Sequence, residues 1–401
     1  GLKRWLLLLG IGAILFSLGV GFEMAIPISP KILPILRTLT LSDLSPMMRG
    51  AVFMLAGVAS GGVALYYIYT WVVIGASHRR GDTDILTAVD LHQHSQRGPR
   101  IVAIGGGTGV STLLRGLKRT TGNLTAIVTI ADDGGSSGRL RDELSMPAPG
   151  DVRNCLVALS ESESLMGEIF SYRFNSGSDL NGHSLGNLLL AALYEKRGGL
   201  HEGLEAAARL LGALGRVIPV SNDPNLILMG ETVSGKILRG ESAIGQSPDA
   251  LHSVWIDPVG VVANESAVTS ILEADLIVIG PGSLYTSVIP NFLFPEIGRA
   301  IEASKVPKVF VCNVATQPHE TDGYGVVEHF KAFKEHTAIS VTHVLVNSNV
   351  HPLPNEWNQM AITSVSEIDG FEGTVIQADV VDSDHRTRHD PDKLANVLML
   401  L

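Results

Sequence analysis

The chain has 401 residues, carries a net charge of -10 and has a pI near 5.7. That length accommodates two or three domains, and the acidic balance excludes broad nucleic-acid binding, which needs basic surface to displace counterions. Cys155 and Cys312 are the two cysteines, and neither they nor the 13 scattered histidines form a CxxC or HExxH motif. Zinc cages and disulfide frameworks are therefore excluded, and a reducing compartment fits.

The first elements along the chain are two uncharged apolar runs. Residues 5–22 (WLLLLGIGAILFSLGVGF) and 51–77 (AVFMLAGVASGGVALYYIYTWVVIGAS) are each long enough to cross a bilayer as a helix. Residues 1–77 are therefore expected to form a two-helix transmembrane hairpin. A signal peptide is the alternative for the first run, since Lys3 and Arg4 precede it. Tyr66, Tyr67, Tyr69 and Trp71 cluster towards the end of the second, as interface anchors do. Residues 23–50, with four prolines, read as an extracytoplasmic loop. Residues 78–98 are polar and read as a juxtamembrane linker, helical in part over 84–91. Two crossings put both termini on one side, so the expectation is a multi-pass cell-membrane protein with its large domain in the cytoplasm.

From residue 99 to 401 short β-rich runs alternate with longer helical ones, the pattern of an α/β domain with a mostly parallel, doubly wound sheet. Strands are expected at 100–104, 124–131, 226–229, 253–256, 275–279, 308–313 and 343–347. Helices are expected at 111–118, 185–196, 200–214 and 294–304. The near-continuous apolar runs imply strands buried on both faces.

Three strands run into loops built for a ligand. RIVAIGGGTGVS ends in Gly105, Gly106, Gly107, Thr108 and Gly109, a turn whose following helix directs its positive end at an anion. It is not the GxGxxG dinucleotide fingerprint, because Val110 stands where the third glycine belongs. IADDGGSSGRLR ends the second strand with Asp132 and Asp133, placed to accept ribose hydroxyls. Gly134, Gly135, Ser136, Ser137 and Gly138 follow as a second cradle, with Arg139 and Arg141 able to neutralise a diphosphate. They could do so alone or with Mg²⁺ on an aspartate, for which Asp133 is the candidate. DLIVIGPGSLYTSVIPN supplies Gly282, Ser283 and Thr286. Arg153 and Asn154 in PGDVRNC serve either phosphate contact or helix capping. Thr321, Asp322 and Tyr324 in HETDGY likewise read as ligand contacts or as a polar loop.

Two motifs mislead. GHSLG at 182–186 matches the nucleophile elbow, but a polar FNSGSDLN segment precedes it where a buried strand is required, so Ser184 reads as a helix N-cap. GETVSGKI at 230–237 lacks the Ser or Thr of a P-loop at Ile237 and reads as a β-hairpin.

GGGTG, ADDGGSSGRLR, PGDVRNCLVAL, GHSLGNLLLAAL, GPGSLYTSVIPN and CNVATQPHETDGY together, in this order, resemble the YvcK/CofD-like family. That family contains gluconeogenesis factors and 2-phospho-L-lactate transferases. The resemblance covers roughly 100–401, and the two apolar runs are a departure from typical members. It implies a Rossmann-like fold. On the gluconeogenesis-factor branch, which the motifs resemble more closely, it implies binding of a UDP-sugar such as UDP-N-acetylglucosamine and a role in cell shape and envelope synthesis. On the transferase branch it implies transfer of a phospholactyl group from a nucleotide donor to a deazaflavin acceptor with Mg²⁺. Carried over residue by residue, Gly106, Gly107, Thr108 and Gly109 face the diphosphate. Asp132, Asp133, Gly135, Ser136 and Ser137 line the opposite wall, Asn187 lies near the junction, Gly282, Ser283 and Thr286 complete the cleft, and Arg388 in RHDPDKLA contacts the ligand. No residue is assigned a catalytic role, and homo-oligomerisation is left open.

Overall fold

The computed structural model describes residues 2–23, 45–77, 98–177, 179–350 and 352–401. The chain divides into two compact units, Gly1–Asp90 and Leu91–Leu401. The extracytoplasmic loop and the linker helix expected at 84–91 fall mostly or wholly outside the described residues.

The first unit contains α1 (Leu2–Glu23) and α2 (Pro46–Ser77). They pack antiparallel: Trp5 stacks on Tyr67 with ring centroids 4.2 Å apart, and Gly12 lies against Gly57 and Ser60. A Cβ on Gly57 would come within 2.8 Å of the Gly12 carbonyl oxygen, so small residues set this close approach. Leu7, Ile14, Leu55, Val58 and Leu65 point outward and are exposed. By length and composition Gly50–Tyr67 is a candidate span, while the apolar part of α1, Arg4–Ser17, is shorter.

The second unit begins with β1 (Ile101–Gly105), α3 (Gly107–Leu117), β2 (Leu124–Val128), α4 (Gly135–Leu144), α5 (Gly150–Leu159) and α6 (Glu163–Ser171). It continues with α7 (Leu185–Arg197), α8 (Leu200–Leu211), β3 (Arg216–Pro219), β4 (Ile227–Thr232), β5 (Ile237–Arg239), α9 (Glu241–Gly245) and β6 (Leu251–Asp257). After these come α10 (Glu265–Leu272), β7 (Leu276–Ile279), α11 (Pro295–Ala303), β8 (Lys308–Val311), α12 (Val326–His336), β9 (His343–Asn347), β10 (Thr374–Ala378) and α13 (Pro391–Leu398).

Seven strands form a parallel sheet in the order β3-β2-β1-β7-β8-β9-β10. The sheet is covered on both faces. Along β1, Ile101 and Ala103 join the core made with α3, α5, α7, α8 and α13, while Val102 and Ile104 join the core made with α10, α11 and α12. Period-two alternation between two apolar cores is what a doubly wound sheet requires. The order grows outward from β1 in one direction, then returns to β7 and grows in the other. The switch point therefore lies between β1 and β7, and in such sheets ligands bind there, beyond the carboxyl ends of the strands.

The structure corrects the strand assignment in one respect. The runs expected at 226–229 and 253–256 are not in the parallel sheet; they belong to a separate antiparallel sheet in the order β5-β4-β6. Residues of β4 alternate between partly and fully buried, the mark of a strand covered on one face. The hairpin expected in GETVSGKI is present as β4 and β5. Two short strands escaped the sequence reading: β3, which ends at Pro219, and β10.

Candidate functional site

The turn after β1 and the turn after β7 meet at the switch point. A Cβ on Gly109 would run into the carbonyl of Pro281, one on Gly106 into Ser287, and one on Gly107 into Asp151. The glycines of GGGTG thus let three pieces of chain interlock, whatever else approaches them. Gly107 donates its N–H to the Asp151 carboxylate at the start of α5, so part of the anion-attracting end of α3 is already occupied by this protein's own acid.

The second cradle differs in form from the loop expected. Residues 135–144 are the helix α4, capped by Gly134, and Gly135 begins it at φ +46°. Asp132 and Asp133 lie beyond the end of β2, which stops at Val128. Asp132 accepts the Gly134 N–H at 2.9 Å and faces a hollow. Asp133 accepts the Ser242 N–H at 2.8 Å, tying this loop to α9. Among the described residues no three His, Cys, Asp or Glu side chains stand together as a metal set.

Ser136, Ser137 and Asn187 are buried and bonded to one another. Asn187 donates to the Ser136 and Ser137 hydroxyls at 3.1 and 3.3 Å. Ser136 also lies 3.1 Å from His183 Nδ1 and accepts weakly from the Ser184 N–H. The Ser136 hydroxyl is thus ringed by the Asn187 amide, the Ser184 N–H and His183 Nδ1. Ser184 caps α7, accepting from the Asn187 N–H as the sequence indicated. Arg139 and Arg141 donate to the carbonyls of Asn181 and Leu226.

The third turn divides its hydroxyls. Ser283 donates to Gln317 Oε1 at 2.6 Å, beside the crevice. Thr286 is buried and donates to Glu320 Oε1 at 2.7 Å, inside the core. The HETDGY residues are used locally: Thr321 accepts from the Gln317 N–H, Asp322 from the His319 N–H, and the Tyr324 hydroxyl pairs with Tyr285.

Three adjoining hollows result. The largest, of about 480 Å³, is lined by Thr108, Gly109, Gly282, Ser283, Asn313 and Gln359 among others, with Arg388 and Asp151 at its margins. A second, of about 270 Å³, shares Thr108 and Arg388 and adds Arg115 and Phe170. A third, of about 260 Å³, lies at the start of α4 and shares Asp151 with the first. Arg388 is brought in from the C-terminal segment by two anchors. Gly116 of α3 takes Pro391 against its backbone, and buried His389 lies 3.2 Å from the Cys312 carbonyl at the end of β8.

Two acids here were assigned no role in the sequence reading, though Asp151 lies within PGDVRNCLVAL. Burial, then Asp132, pushes Asp151 up to about 7, against opposing contributions from the Gly107 N–H and Arg153. Burial, then Asp151 and Asp132, pushes Glu241 up to about 9, and its Oε2 has no hydrogen-bond partner. At that value Glu241 keeps its proton at pH 7, and the residue lines the largest of these hollows. The signal available in the sequence was thin: Asp151 follows Pro-Gly ahead of an apolar helix, and Glu241 follows Gly240 at the end of a hairpin.

The family described as 2-phospho-L-lactate transferase CofD matches residues 101–382. The chain belongs to that family. The CofD-family chain is 41% identical to the gluconeogenesis factor of Bacillus subtilis, over 75% of this chain and 97% of that protein. It is 42% identical to the gluconeogenesis factor of Halalkalibacterium halodurans, over 75% of this chain and 95% of that one. A relative from Deinococcus radiodurans matches 100% of this chain and 87% of its own length at 39% identity. The crystal structure of a Bacillus halodurans protein superimposes with a TM-score of 0.71 at 41% identity, covering 76% of this chain and all of that one.

Proposed function

We propose that this protein binds a UDP-sugar of the UDP-N-acetylglucosamine type, is anchored in the cell membrane by α1 and α2 with its large domain in the cytoplasm, and regulates cell shape and envelope synthesis. The observation that carries the reading is the meeting of the β1 and β7 turns at the switch point. It leaves a long polar crevice with the exposed guanidinium of Arg388 at its edge. The diphosphate is assigned to the start of α3, where the Thr108 and Gly109 amides and Arg388 offer donors. Gly282, Ser283 and the Glu241 carboxyl border the path of the sugar. The likeness to gluconeogenesis factors supports this branch over the transferase. The outward apolar surface of the helix pair supports the anchor.

Calorimetry on the full chain in nanodiscs, titrating UDP-N-acetylglucosamine against GDP, tests the ligand. Saturable binding of the sugar nucleotide without turnover is expected. Preference for GDP, with Mg²⁺-dependent transfer of a phospholactyl group from an added guanylyl-type donor to a deazaflavin and release of the nucleotide, would establish the transferase instead. Deleting residues 1–77 should move the protein from the membrane fraction to the supernatant.

A further inference from the structure

We infer that buried Glu320 is a positioning residue that makes the crevice selective for a ligand offering a hydrogen-bond donor to Ser283, a sugar hydroxyl or amide N–H by class. The identity of the ligand rests on the UDP-sugar proposed above; the direction of the hydrogen bonds does not. A relay of side chains runs from the core to the crevice. Glu320 is 3% exposed. Its Oε2 accepts the Tyr285 N–H at 3.2 Å, and its Oε1 accepts the Thr286 hydroxyl at 2.7 Å and the Gln317 Nε2 amide at 3.1 Å. Gln317 Oε1 in turn accepts the Ser283 hydroxyl at 2.6 Å. Gln317 and Ser283 both line the largest hollow.

Each link has a fixed direction. The Glu320 carboxylate only accepts, so it holds the Gln317 amide with nitrogen inward and oxygen outward; the reverse would set two oxygens against each other. That outward oxygen takes the single Ser283 proton. Among the described residues no other hydrogen bond reaches Ser283 Oγ, so it turns only lone pairs to the crevice and the ligand must supply the proton. A ligand group that lacks a donor leaves this pair unmade, which is how hydrogen-bonding pockets discriminate strongly. Glu320→Gln reverses the relay. The Tyr285 N–H still needs an acceptor, which puts the new amide oxygen at the Oε2 position and its nitrogen at the Oε1 position. That nitrogen demands an oxygen from Gln317, so Gln317 turns over, donates to Ser283 and frees the serine proton to enter the crevice.

Two measurements on the full chain in nanodiscs test this. With glutamine side chains labelled for magnetic resonance, the Gln317 amide protons should exchange slowly with water in the wild type and about tenfold faster or more in Glu320→Gln. Loss of one signal in Gln317→Met identifies them. Calorimetry then compares UDP-N-acetylglucosamine with analogues carrying fluorine in place of each sugar hydroxyl in turn, and with UDP-2-deoxy-2-fluoroglucose. One replacement should cost about tenfold in the wild type and less than about threefold in Glu320→Gln and Ser283→Ala. Should Glu320→Gln not fold, Gln317→Met also frees the serine proton and must relax the same position. Unchanged Gln317 exchange in Glu320→Gln, or no position whose penalty shrinks in the variants, would overturn the inference. If no UDP-sugar binds, the function proposed above falls, while the exchange rates confirm or refute the relay by themselves.

Discussion

Glu241→Gln should stabilise the protein, increasingly so as pH rises. Glu241 is held in the folded protein with its proton affinity pushed from the ordinary 4.5 up to about 9, first by burial and then by Asp151 and Asp132. Below the ordinary value both folded and unfolded chains carry the proton and the residue contributes nothing to the pH dependence. Between 4.5 and about 9 the unfolded chain releases the proton while the folded chain keeps it, so stability falls across that window. Each tenfold change in proton affinity is worth about 1.4 kcal/mol, which bounds the full effect at roughly 6 kcal/mol. Relaxation around a half-buried side chain reduces this, and a gain of about 2 kcal/mol at pH 8 is expected. Glutamine keeps the shape, and its amide can donate towards the neighbouring carboxylates, so it carries no compensating loss. Thermal melts of both proteins between pH 5 and pH 9 should show curves that meet at the acid end and separate by about 4 °C or more at the alkaline end. A constant offset at every pH, or a variant less stable throughout, would refute the account of Glu241 as a neutral buried acid.

Other outcomes follow from single contacts. Arg388→Ala should weaken UDP-N-acetylglucosamine binding by about tenfold or more with an unchanged melting temperature, because the side chain is exposed at the crevice; calorimetry and a melt on one sample check both halves. Gly109→Ala should cost more than about 2 kcal/mol, since the new methyl meets the Pro281 carbonyl, and chemical denaturation measures it. Asp133→Ala should cost about 1–2 kcal/mol by orphaning the Ser242 amide. Nucleotide affinity in Asp133→Ala should change little, which the same titration reads.

The parallel sheet was legible because its strands are nearly continuous apolar runs, and the ones beside the switch point end in glycine. Ser184 was legible as a cap because a polar loop precedes it and an apolar helix follows. α4 was not, since Gly-Ser-Ser-Gly has the composition of a loop and becomes helical only through its packing against Gly150 and α7. The pairing partners of 226–229 and 253–256 were hidden too. An apolar stretch of four residues does not say which sheet it joins, and only the hairpin turn after Thr232 betrays an antiparallel partner. Of the candidate residues, the glycines were found for their flexibility, yet several work as points of contact between chain segments. Asp151 and Glu241 acquire their properties from burial among other acids, which no local motif records.

The contact of Gly109 with Pro281 has a consequence for how the protein is made. Chain growth delivers β1 and its turn early, but the opposite bank of the crevice arrives only after β3, the small antiparallel sheet and α10 have been synthesised. A nascent chain halted before residue 275 therefore owns half a binding site, so ligand cannot assist the early stages of folding. It can only reward the finished molecule, and added ligand should protect newly completed protein from degradation while leaving truncated products unprotected.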